Sequence, residues 1–489
     1  MLFNSIHFLI FFPIVALLHF AIPHKWRWAL LLVASYYFYM SWKAEYAILL
    51  LLSTSLAYFA GLALGKTDKP HNRKIILWSC LTFLLGVLFT YKYFNFASSS
   101  LNSFFSFFLI PLDVPIVNLL LPIGISFYTF QKVSYVVDVY YGHAKVEKNF
   151  GIFAVYSCFF PQLVAGPIER AQNLIHQFYE KHEFSNKRAT EGLRLMLWGF
   201  FKKIVVADRL AVLVQTVYSD PQSYGGLSLL VATLFFSFQI YCDFSGYTDI
   251  ALGSAKMLGF DLMANFRQPY FSQSIPEFWR RWHISLSSWF KQYLYIPLGG
   301  NRVVKWRWYY NLFITFLVSG LWHGANWTFA VWGALHGLYM VVDSLIGSWR
   351  DSFQAKLRSA ASRYAFQSFN LCLTLFLVLI AWVPFRANNI HDAWYIFTHL
   401  FSDITQWSDI GKQSLYFRGM GLTLTELIYS GVFTGIVILY DWLDRQGTAW
   451  AYIAAKPIMV RWFIYYLLLY FILFYAPYNQ AQNFIYFQF

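Results

Sequence analysis

Charge is scarce in this chain. Only 12% of its 489 residues are Asp, Glu, Lys or Arg, and none of these occurs from Trp308 to Met340. No stretch has the polar balance of a soluble module, so the roughly three soluble domains of about 150 residues that this length suggests are excluded. The four cysteines, Cys80, Cys158, Cys242 and Cys372, form no CxxC pair, which removes zinc and dithiol motifs. Each sits in or beside an apolar run and is expected to be a small buried hydrophobe. G-x-S-x-G and H-E-x-x-H are both missing, so neither a hydrolase serine nor a metalloprotease centre is signalled. "GLALGKT", Gly61 to Thr67, imitates a phosphate-binding loop but is one residue short between its glycines and follows no strand. "NWT" at Asn326 matches the glycosylation pattern but lies in or beside a membrane segment.

Apolar and aromatic residues take the place of charge. Hydrophobic residues make up 58% and aromatics 22%, with 52 Phe and 35 Tyr, and mean hydropathy is +0.46. A soluble fold cannot hide that much apolar surface, so lipid must cover part of it. Spanning or embedded helices are expected at about 5–22, 27–42, 46–64, 74–94, 105–130, 150–165, 192–215, 226–245, 247–260, 276–297, 308–322, 325–347, 367–386, 424–443 and 458–477. The fold class is therefore an all-α polytopic integral membrane protein, read as a single membrane domain over 1–489. Segments too short or too polar to span are expected to be re-entrant or to line a cavity. The first run, Ser5 to Ile22, lacks a basic leader region and a small-residue cleavage site, so it is read as an anchor.

The net charge of +14 sits mostly in short loops. Anionic headgroups and the positive-inside rule explain it, and no nucleic-acid partner is needed. Lys25 and Arg27 mark the first loop and Lys66, Lys69, Arg73 and Lys74 the third, while the second holds only Lys43. Loops one and three are thus expected in the cytoplasm, with the N-terminus outside. Ala387 to Thr423 is read as interfacial.

The densest charge is "RRWHISLSSWFKQYLYIPLGGNR", Arg280 to Arg302, which contains no Asp or Glu. Drawn as one helix from Glu277 to Tyr293, it puts Trp279, Trp282, Leu286, Trp289 and Tyr293 on one face. Glu277, Arg280, Ser287 and Lys291 fall on the other, with His283 near the seam. An interfacial helix accounts for the tryptophans and arginines but not for the histidine. His323, in "SGLWHGANWTFAVWGALHG", stands alone between nearly uncharged runs. An imidazole there can move a proton without a metal. His336 is read as structural. Asp243 and Asp249, in "FQIYCDFSGYTDIALG", are buried carboxylates that need partners, for which the arginines near 280 are candidates.

These stretches, with "FFPQLVAGPIER" (159–170), "WGFFKKIVVAD" (198–208) and "WVPFRA" (382–387), resemble the membrane-bound O-acyltransferases. The likeness is greatest to the bacterial branch of alginate and related polysaccharide O-acetyltransferases. It covers about 120–390. The resemblance implies a ring of transmembrane and embedded helices around a central catalytic tunnel. It carries the family's essential histidine to His323 and a second histidine to His283. Arg280, Ser287 and Lys291 would line the path. It further implies acetyl transfer to an extracytoplasmic polysaccharide from acetyl-CoA or another acyl thioester, with no bound cofactor or metal. A periplasmic SGNH-type acyltransferase or another polysaccharide-modification protein would be the partner, at the bacterial inner membrane. The rivals are D-alanyl transfer toward teichoic acid and, in another class, a polysaccharide or lipid transporter.

Overall fold

The structure, a computed structural model, describes residues 1–111, 113–404, 419–446, 449–475 and 484–487. Every regular element among them is helical. Six helices are long and apolar enough to cross a membrane: Tyr46–Lys66, Pro70–Phe107, Gly226–Leu258, Trp327–Lys356, Ala360–Arg386 and Leu424–Leu443. Ile6–Ala21 and Ile458–Phe474 are apolar but shorter. The chain is thus a multi-pass membrane protein. By its internal contacts it falls into two compact units, Met1–Met196 with Tyr247–Met263, and Leu197–Gly246 with Ala264–Phe489.

In the first unit, the Ser5 hydroxyl oxygen accepts the Phe8 amide and starts helix Ile6–Ala21. Phe8, Phe12, Val15 and His19 are buried along one stripe, while Leu9, Ile14 and Leu17 stay exposed, as lipid-facing residues do. Helix Tyr46–Lys66 packs tightly on Ile125–Tyr141, since a Cβ at Gly61 would lie 2.6 Å from the Tyr135 hydroxyl. This contact gives Gly61 a packing role. Lys132, fully buried on the second of these helices, donates to Ser53 Oγ (2.6 Å) and the Leu50 carbonyl (3.3 Å) and lies 4.3 Å from the Tyr128 ring centroid. Asp249 falls in this unit and is half-buried.

Several expected boundaries shift. The run at 105–130 is not one helix: Phe94–Phe107 ends, and Ile125–Tyr141 begins only after an irregular stretch holding Pro111, Pro115 and Pro122. Proline has no amide to donate to a helix, and three of them outweigh the apolar pattern. The runs at 226–245 and 247–260 are instead one helix of 33 residues, Gly226–Leu258.

In the second unit, helices Lys305–His323 and Trp327–Lys356 form a tight hairpin. A Cβ at Gly320 would meet the Phe329 carbonyl at 2.3 Å, and one at Gly333 would meet the Phe316 carbonyl at 2.5 Å. Small residues at such a crossing let two backbones touch in lipid. Asn326 starts the second helix: its side chain accepts the Thr328 amide at 3.0 Å and donates to the Asn388 carbonyl at 3.1 Å. A capping role therefore explains the "NWT" asparagine. Cys372 departs from expectation, being exposed on helix Ala360–Arg386, whereas Cys80, Cys158 and Cys242 are buried. Of the stretch 387–423, helix Ile390–His399 is capped by Asn389, and residues 405–418 lie outside the described part.

Candidate active site

The basic stretch is not one helix. It divides into Ile275–Arg281, begun by the Ser274 hydroxyl on the Glu277 amide, and Ile284–Phe290, followed by a π-helical turn at Lys291–Tyr295. At the break Trp282 is extended and His283 is left-handed, with φ 42° and ψ 55°. The expected seam position is therefore wrong, because a broken backbone re-aims the side chain. His283 points inward and is fully buried. The apolar face survives in Trp279, Trp282, Leu286 and Trp289, all buried, and Arg280 and Lys291 remain exposed.

His323 ends helix Lys305–His323 and is 3% exposed. A Cβ at Gly324 would sit 2.1 Å from the Phe329 ring, so only glycine lets the chain turn back so closely behind the histidine. The two imidazoles lie 6.4 Å apart, centroid to centroid. Aromatic rings wall them in. Trp332 is 5.0 Å, Phe385 5.4 Å and Tyr486 5.6 Å from His323, and Phe244 is 4.7 Å from His283. His336 stands on the next helix, where its Nδ1 accepts the Trp279 indole N–H at 3.2 Å, in keeping with a structural role.

Asp243 does not pair with the arginines. Its carboxylate is 2.7 Å from Lys203 Nζ, which is also 2.7 Å from Asp208, and it accepts the Ile485 amide at 2.7 Å. Arg281 pairs with Glu277 one turn back, also at 2.7 Å. Glu277 is the nearer partner, and four-residue spacing on a helix favours such pairs. The Asp243–Ile485 bond fixes the C-terminal segment and thereby sets Tyr486 beside both histidines, 6.3 Å from His283. Sequence reasoning missed Lys203 and Tyr486. Lys203 carried a signal, as an ionisable residue inside an apolar run. Nothing in the spacing tied "FIYFQF" to residues far upstream.

A cavity of about 290 Å³ lies along the same stretch, and neither histidine is among its lining residues. Arg280, Ser287 and Lys291 all line it, with Trp279, Phe290 and Tyr295. The opposite wall is helix Lys305–His323, which contributes Leu312, Thr315, Phe316 and Ser319. These recur at helical spacing, and His323 follows Ser319 by one turn on the same face. Two cations and several hydroxyls line the cavity and no carboxylate does. Most of the remaining lining is apolar, so the cavity suits a largely apolar ligand that carries an anionic group.

A helical membrane protein with two buried histidines among aromatic rings and a cavity carrying two cations fits acyl transfer, and the comparisons agree with that class. The model of the membrane-bound O-acyltransferase family matches residues 146–383. The chain belongs to that family and is a membrane O-acyltransferase. It is 41% identical over 446 residues to the probable alginate O-acetylase AlgI of Pseudomonas aeruginosa, covering 90% of this chain and 82% of that one. To the peptidoglycan O-acetyltransferase of Helicobacter pylori it is 33% identical, covering 76% and 72%. To the teichoic acid D-alanyltransferase of Streptococcus thermophilus it is 27% identical, covering 56% and 70%.

Proposed function

We propose that this chain moves acetyl groups from a cytoplasmic thioester, acetyl-CoA or an equivalent carrier, toward hydroxyls of an extracytoplasmic polysaccharide. The observation that carries the reading is the pair of buried histidines 6.4 Å apart, with Arg280, Ser287 and Lys291 of the His283 stretch lining a cavity whose wall includes Ser319, four residues before His323. The cations hold the donor's phosphates and the arm runs along the Thr315–Ser319 face. His323 takes the proton of the attacking hydroxyl as its oxygen bonds to the acetyl carbon. The carbon–sulfur bond breaks, and that proton passes to the departing thiolate. His283 orients the hydroxyl or the acyl oxygen. Base catalysis of this kind supplies about 10²–10⁴-fold. The aromatic walls keep out water, which would otherwise hydrolyse the thioester.

In this reading the protein lies in the bacterial inner membrane with its N-terminus outside and its helices ringed around a tunnel. It works with a separate periplasmic acyltransferase of the SGNH type that completes the modification of the sugar. D-Alanyl transfer is the second reading, supported by the relative of that name. It ranks lower because its identity is 27% against 41% for the alginate O-acetylase. Mass spectrometry of the cell-surface polymer with and without this gene tests the proposal. Loss of O-acetyl groups is expected, and loss of D-alanine with acetylation intact would favour the second reading.

A further inference from the structure

His283 occupies a demanding backbone position. It is one of four residues other than glycine with positive φ among the described residues, and it opens helix Ile284–Phe290. A helix start normally draws a side chain of its own first residue onto the free amides. The His283 side chain makes no such bond. The amides are satisfied from elsewhere: Asn265 accepts the Ile284 amide with its backbone carbonyl (2.9 Å) and the Ser285 amide with its side-chain Oδ1 (3.2 Å). Two residues on, the Arg267 amide donates to the Arg281 carbonyl at 2.9 Å and so closes the end of the preceding helix. Between them, the Phe266 ring lies 5.0 Å from Trp282 and 5.0 Å from Phe244, the ring that stands against His283.

We propose that Asn265 is the positioning residue of His283. It caps the helix that the histidine begins, and so fixes the backbone from which the imidazole faces the reaction centre. Segment 265–267 acts as a splint across the break, and Asn265, 1% exposed, is its fixed point. The required feature is the side-chain oxygen. The Asn265 amide nitrogen is buried and has no hydrogen-bond partner among the described residues, so the cap makes no use of it. Asp supplies the same acceptor and ranks with Asn at helix starts, which makes it the conservative replacement.

The inference rests on the reading of His283 as a working histidine, and the variants separate the two. Asn265→Ala, Asn265→Asp, His283→Ala and the Asn265→Ala/His283→Ala double variant are purified in detergent, reconstituted, and assayed for donor-dependent acetyl transfer. Asn265→Ala is expected to accumulate normally and to lower kcat by about tenfold to a hundredfold, the effect of a small misplacement of a reacting group, with donor KM unchanged. Asn265→Asp is expected to stay within about threefold of wild type, because it keeps the acceptor. In the His283→Ala background, Asn265→Ala should cost nothing further, since residues that act as a unit are not additive. Wild-type turnover in Asn265→Ala, or an additional loss in the double variant, overturns the positioning role. Should Asn265→Ala fail to accumulate, or His283→Ala lie below detection, Asn265→Asp decides: turnover near wild type supports the proposal and a tenfold loss refutes it. Wild-type turnover in His283→Ala is the separate result that removes the histidine's own role.

Discussion

Lys203 is a single buried cation shared by two carboxylates. Its side chain is 5% exposed, those of Asp208 and Asp243 are 5% and 4%, and both contacts are 2.7 Å. Replacing it by Met keeps the stem and strands two buried acids. Breaking one buried pair costs about 3–5 kcal/mol. Both carboxylates lose the Lys203 contact here, so the cost falls at the upper end. At about 2–4 °C per kcal/mol, Lys203→Met should lower the melting temperature in detergent by roughly 10–20 °C. The triple variant Lys203→Met/Asp208→Asn/Asp243→Asn removes the stranded charges and should recover most of that loss, since neutral replacement of a whole buried cluster is well tolerated. The assay is thermal challenge followed by fluorescence-detected gel filtration. A Lys203→Met protein that melts with wild type, or a triple variant no more stable than the single, would refute the account of this cluster.

Three further outcomes are expected. Arg280→Gln and Lys291→Gln should fold normally and raise donor KM, most of all together, because both side chains line the cavity and neither has an ion-pair partner among the described residues; unchanged KM in titrations of acetyl-CoA would remove the anion-binding role. Arg281→Gln should change the melting temperature little, because its pair with Glu277 is 32% and 25% exposed and such pairs contribute about 0–1 kcal/mol; a large drop would mean that Arg281 has a deeper partner. Alkaline phosphatase fused at Lys69 should be inactive and a cytoplasmic reporter there active, as the loop charges require; the reverse would invert the topology.

Much of the fold was legible because lipid imposes a simple rule on sequence. Runs such as 46–64 and 424–443 became helices with nearly the expected limits, since a backbone in hydrocarbon must satisfy its own hydrogen bonds. Breaks were less legible. At 105–130 three prolines decided the outcome, and at His283 the decisive contacts came from Asn265 and Arg267, which no helical period relates to residue 283. The alternation of Trp279, Trp282, Leu286 and Trp289 still gave the buried face correctly, because burial of the stripe survives a local break. Arg280, Ser287 and Lys291 were grouped from helical spacing and do meet at one cavity. The carboxylate partners were misassigned because proximity in sequence and abundance of arginine outweighed a lysine one residue from another lysine. The placement of Tyr486 against the histidines depends on a backbone amide bond to Asp243, which side-chain pattern does not encode.

The central claim is that His323 carries the proton transfer. The most direct measurement is donor-dependent acetyl transfer by purified, reconstituted His323→Ala beside wild type, with equal protein in the membrane and matched melting curves. His323 is buried against Trp332, Phe385 and Tyr486, and the account predicts a loss of at least about 10²-fold in turnover with donor binding retained. Wild-type turnover in that variant would contradict the mechanism and leave the chamber without its base.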